Sequence, residues 1–245
     1  MANWSDPRSG VAGFGNATAA RGEAFDAGLR RYMLSVYNYM ASGVLLTGIV
    51  ALLFASSGLA YQVLAGPGIL KYIIMFAPLA FVMVLSFGIN RLSTATAQAL
   101  YWVYAAVMGL SLSSIFLVYT GTSIAQTFFA TAAAFAGLSL WGYTTKKDLS
   151  GFGTFLIMGV VGLLVASLIN LFLRSSAMDL VISFLGVLLF AGLTAYDTQK
   201  IKSIYAHVAG TDMMGKSGIM GALNLYLDFI NMFLFLLRFM GGSRD

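Results

Sequence analysis

The sequence predicts an all-α integral membrane protein that folds as a bundle of seven transmembrane helices. Hydrophobic residues make up 59% of the 245 residues and charged residues only 9%, whereas a soluble domain carries about 25% charged residues. The mean hydropathy is +0.85. The apolar residues also form seven runs, each long enough for the roughly 20 residues that a membrane-crossing helix needs.

The seven runs follow one another through short polar or Gly-rich connections. Four of these are Ser56–Gly58, Gly66–Gly68, Thr120–Thr122 and Arg174–Ser176, and the longest is Ser203–Ser217. All runs are rich in Gly, Ala and Ser, which let helix backbones approach closely. No internal repeat of the kind found in inverted-repeat transporters is evident. The predicted spans are residues 33–56, 70–90, 98–119, 123–142, 153–173, 179–199 and 218–239.

The two ends of the chain and the basic residues predict the topology. Residues 1–32 are polar and Gly/Ala-rich without an apolar signal-peptide core, so we expect a mobile cytoplasmic tail; residues 241–245 form a short C-terminal tail. With the N-terminus inside, ten of the fourteen Lys and Arg residues lie in inner segments and four in outer ones. The positive-inside rule therefore favours a cytoplasmic N-terminus and a C-terminus outside.

A polar stripe interrupts the last predicted span. Asp228 lies within an apolar stretch, where a carboxylate costs about 2.5–3.5 kcal/mol to insert and by default marks a functional site. Asn224, Asp228 and Asn231 stand at positions i, i+4 and i+7, so they share one face of a helix. That face is expected to meet protein or water and not lipid.

A second acidic residue and one arginine lie at a similar depth. Asp197 is at the inner end of the sixth span, and Asp228 is about 10 Å inside the seventh. If the two carboxyl groups meet, they cannot both ionise cheaply and would share a proton. Arg91 closes the second span and could pair with either as a latch. The alternatives are a topology anchor for Arg91, a partly hydrated helix-end carboxylate for Asp197 and a structural hydrogen bond for Asp228.

The remaining composition argues against an enzyme. The chain has no Cys and a single His, His207, which excludes disulfides, thiolate catalysis and a Cys- or His-clustered metal site. No phosphate-binding loop, nucleophile elbow or zinc-protease motif is present. The net charge of +5 comes from loops beside spans and does not indicate nucleic acid. No cofactor is expected, and the expected partners are the lipid bilayer, protons and permeant ions.

Three blocks of the sequence resemble one membrane-protein family. They are Lys146–Ser150, Tyr196–Lys202 and Leu225–Asn231 with its continuation to Arg238. Over residues 30–240 the chain resembles a bacterial member of the Bax inhibitor-like family, also called the transmembrane Bax-inhibitor-motif proteins. One departure is the inner loop Ala206–Gly218, which is longer than in compact bacterial members.

The resemblance implies a central last helix and a calcium leak governed by a pH-sensing pair of aspartates. By motif position that pair is Asp197 and Asp228, which would also form a transient calcium site, and the family's latch arginine is Arg91. The leading hypothesis is a pH-gated, calcium-permeable leak channel in the inner, or plasma, membrane. The alternative is an interaction protein that binds and regulates a membrane protease or another membrane assembly. A proton-coupled transporter is disfavoured, because the chain lacks a repeat and has few polar residues near the midplane.

Overall fold

The computed structural model describes the backbone of residues 9–242 and the side chains of residues 22–242. Within that range the chain is helical between short turns and contains no strand. A π-helical turn at Tyr61–Ala65 joins the first two helices. The helices are α1 (Ser9–Ser56), α2 (Leu70–Gly88), α3 (Thr94–Leu112), α4 (Ile115–Val118), α5 (Gly121–Thr144), α6 (Ser150–Leu173), α7 (Ser176–Val208) and α8 (Met213–Met240).

Seven helical segments of the described chain are long and apolar enough to cross a membrane, with α3 and the short α4 acting as one span. This confirms the predicted all-α, seven-span fold. Most of the basic side chains lie at one end of the bundle, which we call the basic end; the opposite end is the far end. The described cations of the basic end are Arg30, Arg31, Arg91, Lys146, Lys147, Lys200, Lys202 and Lys216, and those of the far end are Lys71, Arg174 and Arg238.

The last helix, α8, occupies the centre of the bundle, as predicted. In its most apolar stretch 61% of the residues are buried, against 11–33% in the other six spans. It packs against α7, α1, α5 and α3. By contrast, α2 packs mainly against α3, and α6 packs mainly against α7. Toward the far end α8 contributes Phe233 and Leu237 to a small apolar cluster with Ile124 of α5, which we call the far-end cluster.

The predicted N-terminal tail 1–32 is wrong over its described part, because α1 already begins at Ser9. Residues 1–8 lie outside the described residues. Leu29 and Tyr32 are buried in the core, and Gly28 fits against the ring of Tyr205 with no space for a side chain. Hydropathy alone placed the boundary too late, since the charged residues of this segment occupy one face while the other face continues into the core.

The predicted long inner loop at Ala206–Gly218 is also wrong. Helix α7 continues to Val208 and α8 begins at Met213, so only residues 209–212 connect them. Gly210 makes the reversal with a φ of 75°, a left-handed conformation that glycine adopts without steric cost. The segment is polar because both helices extend beyond their apolar stretches, and polarity was mistaken for a loop.

Hydroxyl groups from three helices form a chain of hydrogen bonds inside the bundle. Thr198 of α7 donates to the carbonyl of Thr194 at 2.7 Å. Its oxygen lies 2.9 Å from Ser139 of α5, which in turn lies 2.7 Å from the hydroxyl of Tyr37 of α1. Because each hydroxyl has one proton, Ser139 donates to Thr198 and Tyr37 donates to Ser139. This hydroxyl chain ties α1, α5 and α7 together.

We expect Ser139→Ala to lower the free energy of unfolding by about 0.6–1.7 kcal/mol, the range measured for interhelical hydrogen bonds in membranes. The substitution deprives Tyr37 of its acceptor and Thr198 of its donor. Thermal unfolding in detergent measures the effect. Thr144→Val is the matched control on the same helix, because the Thr144 hydroxyl bonds only backbone carbonyls of its own helix. Equal loss in both variants would show that the hydroxyl chain adds nothing.

Candidate functional site

The register between α7 and α8 is set by two contacts along this antiparallel pair. Near the basic end the α carbon of Gly221 faces Ile201 so closely that a β carbon would lie 3.2 Å from its side chain. Toward the far end the ring of Phe235 stacks on Phe190, with the ring centres 5.9 Å apart. Each contact pairs a position of α8 with the α7 position opposite it. Together they determine which residues of α7 and α8 face each other in the stretch between the two contacts.

Asp228 and Asp197 face each other between these two contacts. Asp228 lies seven residues from each of the two α8 contact positions, that is two helical turns, and Asp197 lies between the two α7 positions. The two carboxyl groups are close enough to interact electrostatically. No hydrogen bond joins them, so the short contact expected of a pair sharing a proton stays a prediction.

Asp228 is the more deeply buried member of this pair, which we call the aspartate pair. Its side chain is 4% exposed, and its Oδ2 atom has no hydrogen-bond partner among the described residues. Asp197 is partly buried and interacts electrostatically with Lys200, one turn further along α7. An uncompensated buried carboxylate is costly, so the site favours a state in which the pair carries a proton or a bound cation.

The asparagines that flank Asp228 lie at the edge of the site. Asn224 and Asn231 are half-buried. The Asn231 amide donates to the carbonyl of Leu227 on its own helix at 2.8 Å, and Asn224 makes no hydrogen bond to a described residue. The polar stripe therefore does not serve to link helices, and the Asn224 amide is left available.

The structure does not bring Arg91 to the aspartate pair. Its side chain is exposed in the turn after α2 and forms no ion pair with a described residue. The pairing with a carboxylate stays a prediction for another state of the protein.

An ion pair between Arg238 and Asp179 was missed by the sequence reasoning. The Arg238 Nε donates to Asp179 Oδ2 at 2.9 Å, and a second guanidinium nitrogen contacts Oδ1. The pair joins the start of α7 to the end of α8 at the far end. A signal was available, since opposite charges in the first and last turns of consecutive antiparallel helices lie at the same end.

Comparison with known proteins decides the family. A family model described as "Inhibitor of apoptosis-promoting Bax1" matches residues 29–245. The chain belongs to the Bax inhibitor family. It is 51% identical over 229 residues to an uncharacterized protein of Rickettsia prowazekii, covering 93% of this chain and 96% of that protein. It is 47% identical over 220 residues to the inner membrane protein YbhL of Escherichia coli K12, covering 89% and 94%.

Two of the three sequence blocks that carried the family resemblance touch each other at the basic end. Gln199 of α7 accepts a hydrogen bond from the backbone N–H of Leu149 and donates one to the carbonyl of Lys147, both at 2.8 Å. The loop between α5 and α6 is thereby held against α7 at Gln199. Gln199 was not singled out in the sequence, because a glutamine near a helix end gives no distinctive pattern.

Asp148 in this loop is a third acidic residue at the basic end, and it is exposed. Hydrogen bonds from Ser150, including one from its backbone N–H at 2.9 Å, hold the pKa of Asp148 below its ordinary value. Asp148 therefore stays ionised throughout the neutral and mildly acidic range and cannot report on it.

The transient calcium site expected at Asp197 and Asp228 stays a prediction. Calcium takes 6–8 oxygen ligands, and the described side chains contain no group of three or more His, Cys, Asp or Glu residues that could hold a metal ion. The oxygen ligands on this part of α7 and α8 are the two carboxyl groups and the amide oxygen of Asn224, one turn before Asp228.

Proposed function

We propose that this member of the Bax inhibitor family is a pH-sensitive, calcium-permeable leak channel whose gate is the aspartate pair. The observation that carries the proposal is the buried carboxyl group of Asp228, at the centre of the innermost helix, facing the second carboxyl group of Asp197. A scaffold does not need two intramembrane carboxyl groups, whereas a path for cations and protons uses them.

The charge state of the pair provides the gating step. At higher pH both carboxylates are charged, and their repulsion is relieved by Arg91 or by a bound divalent cation. At lower pH a shared proton removes one charge and weakens the hold on Arg91. The described arrangement, with Arg91 exposed and unpaired, is consistent with the proton-bound state.

The movement is expected at the basic end of the bundle. Helices α7 and α8 are joined at the far end by the Arg238–Asp179 ion pair and at the basic end by the turn of residues 209–212. The release of Arg91 is therefore expected to let the basic ends of α2, α7 and α8 redistribute, with α7 and α8 moving as a pair. The excess of positive charge at that end supports a cytoplasmic location for it, with the N-terminus inside and the C-terminus outside. The name of the YbhL relative supports placement in the inner membrane.

Calcium entry into dye-loaded liposomes containing the purified protein tests the proposal. We expect influx that increases from about pH 8 to about pH 5, the range in which a buried carboxyl group titrates. Protein-free liposomes give the background. Absence of protein-dependent influx at every pH would contradict the channel and favour the alternative, an interaction protein that binds a membrane protease or another membrane assembly.

Arg91→Ala is expected to move the midpoint of the pH-dependent influx to higher pH. Without the guanidinium group, a proton meets no competing cation at the aspartate pair and binds at lower proton concentration. Arg31→Ala is the matched control, because Arg31 is also exposed at the basic end and unpaired among the described residues. An unchanged midpoint in Arg91→Ala would remove the latch from the proposal and leave the aspartate pair alone.

A further inference from the structure

An open groove runs between α1 and α5, with Phe229 of α8 at its base. The Tyr37–Ser139 hydrogen bond bridges the two helices, and the cavity between them measures about 580 Å³. A second cavity of about 280 Å³ continues it toward the far end, sharing Val44, Phe128 and Phe229. Six of the residues that line the larger cavity are Arg30, Tyr37, Val44, Phe135, Ala136 and Tyr143.

The length of the larger cavity matches one leaflet of a bilayer. Its α1 wall runs from Arg30 to Val44, about 21 Å at the helical rise of 1.5 Å per residue. Half of a bilayer including its headgroup region is about 20–22 Å. The larger cavity thus extends from the headgroup level at the basic end to the middle of the membrane, and the smaller cavity continues from there toward the far end.

The lining of the larger cavity suits a hydrocarbon chain. Between Arg30 and Val44 its walls are apolar apart from aromatic and serine hydroxyl groups, and two of these, on Tyr37 and Ser139, already bond each other. A polymethylene chain makes contacts of this apolar kind, with its carbon atoms about 4 Å from their neighbours.

The lining of the larger cavity is apolar toward the middle of the membrane and carries positive charge at its mouth, which is the end next to Arg30. Tyr37 and Ser139 carry hydroxyl groups about halfway along the cavity, and both hydroxyl groups already take part in the hydroxyl chain. At the mouth Arg30 is exposed and forms no ion pair with a described residue, including Asp26 one turn before it. Lys202 donates to the carbonyl of Tyr143 at 2.8 Å and lies over its ring, which adds a second cation beside the mouth.

We propose that the α1–α5 groove binds a single phospholipid, with one acyl chain lying between α1 and α5 over Phe229 and its phosphate contacting Arg30. The guanidinium fork suits a phosphate group, and the apolar side chains of α1, α5 and Phe229 give the acyl chain fixed contacts on the sides that they cover. Two aromatic residues of the groove, Phe135 and Phe229, form the floor beneath the chain, with ring centres 5.6 Å apart. This site does not depend on the channel proposal.

Lipid retained by the purified protein tests the site. The protein is reconstituted in nanodiscs of phosphatidylethanolamine and phosphatidylglycerol, extracted in mild detergent and analysed by native mass spectrometry. We expect one phospholipid per wild-type chain, and at least tenfold less in Ala136→Phe, which fills the groove. Ala134→Phe is the matched control, because Ala134 is exposed on α5 but does not line the cavity; it should retain lipid like wild type.

Arg30→Gln separates the headgroup contact from the chain contact. We expect retention to decrease about tenfold, as for loss of one charge-assisted hydrogen bond, while Arg31→Gln at the adjacent exposed residue leaves retention unchanged. Equal retention in wild type and Ala136→Phe would overturn the proposal. A change from dimer to monomer in Ala136→Phe without loss of lipid would also overturn it, in favour of a second copy of the chain in the groove.

Photo-crosslinking of the wild-type protein provides a measurement that does not rely on a folded variant. A phosphatidylcholine with a diazirine at the end of its acyl chain is added to the nanodiscs and activated by light. We expect adducts concentrated at Val44, Phe128 and Phe229, which line the end of the larger cavity that lies at the middle of the membrane. Adducts distributed evenly over the exposed faces of α2 and α6 would contradict a defined site.

Discussion

Asp228→Asn is expected to abolish the pH dependence of calcium influx, and Asp197→Asn to flatten it strongly. A gate controlled by one shared proton can change its open population by up to about tenfold per pH unit. Asparagine cannot take up or release that proton, and the carboxyl group that remains has no partner with which to share one. Asp228→Asn should act more strongly because Asp228 is the buried member, 4% exposed and with one oxygen unpartnered among the described residues.

The measurement is influx into dye-loaded proteoliposomes between about pH 5 and pH 8, with Asp148→Asn as the matched control. That variant makes the same chemical change at the basic end, but Asp148 lies outside the membrane-spanning segments and its lowered pKa keeps it charged across the whole range. It should therefore retain the wild-type profile. Wild-type profiles in both Asp197→Asn and Asp228→Asn, with folding intact, would refute the sensor.

Gly142→Ala is expected to destabilise the bundle by about 1–3 kcal/mol, the usual cost of overpacking. A β carbon at this position of α5 would meet the backbone of α7, contacting the Ala195 carbonyl oxygen and lying 2.9 Å from its α carbon. Backbone atoms cannot rotate away as a side chain can, so α5 must separate from α7. The same displacement would stretch the hydroxyl chain through Ser139.

Gly137→Ala on the same helix serves as the control, because it is expected to stabilise the bundle and not to destabilise it. A β carbon there meets nothing within 4 Å, and alanine is favoured over glycine in a helix by about 0.5–1 kcal/mol. Thermal unfolding in detergent should therefore show a lower midpoint for Gly142→Ala and an equal or higher one for Gly137→Ala, with about 2–4 °C per kcal/mol in a chain of this size. Equal midpoints in the two variants would show that the α5–α7 contact is not tight.

The fold was accessible from sequence because hydropathy alone identifies apolar spans, and every predicted span has its helix. The helix ends were not accessible from sequence, because α1 and α7 are longer than their apolar stretches. Their additional turns are amphipathic, such as the turn of α1 that buries Leu29 and Tyr32. Hydropathy measures transfer into lipid, and these turns are buried against protein.

For the candidate site, too, one part could be predicted from the sequence and another part could not. A carboxylate in an apolar span stands out by its cost, so Asp228 could be chosen from sequence. Its placement opposite Asp197 depends on the register of α7 against α8, which follows from fitted pairs such as Gly186 beneath the ring of Phe235. Side-chain shape of this kind has no periodic signature. The Arg238–Asp179 ion pair, by contrast, was accessible from the sequence, because the two charges lie in the last and first turns of consecutive antiparallel helices.

The far-end cluster of Ile124, Phe233 and Leu237 bears on how fast any ion can pass. In the proposed channel, a cation that reached the aspartate pair from the basic end would still face this apolar segment, which resists wetting and imposes a large dehydration cost on a divalent ion. Passage would therefore require rare openings of the α5–α8 contact. We expect turnover closer to that of a carrier than of an open pore, detectable as slow accumulation in vesicles and too small for resolved unitary currents.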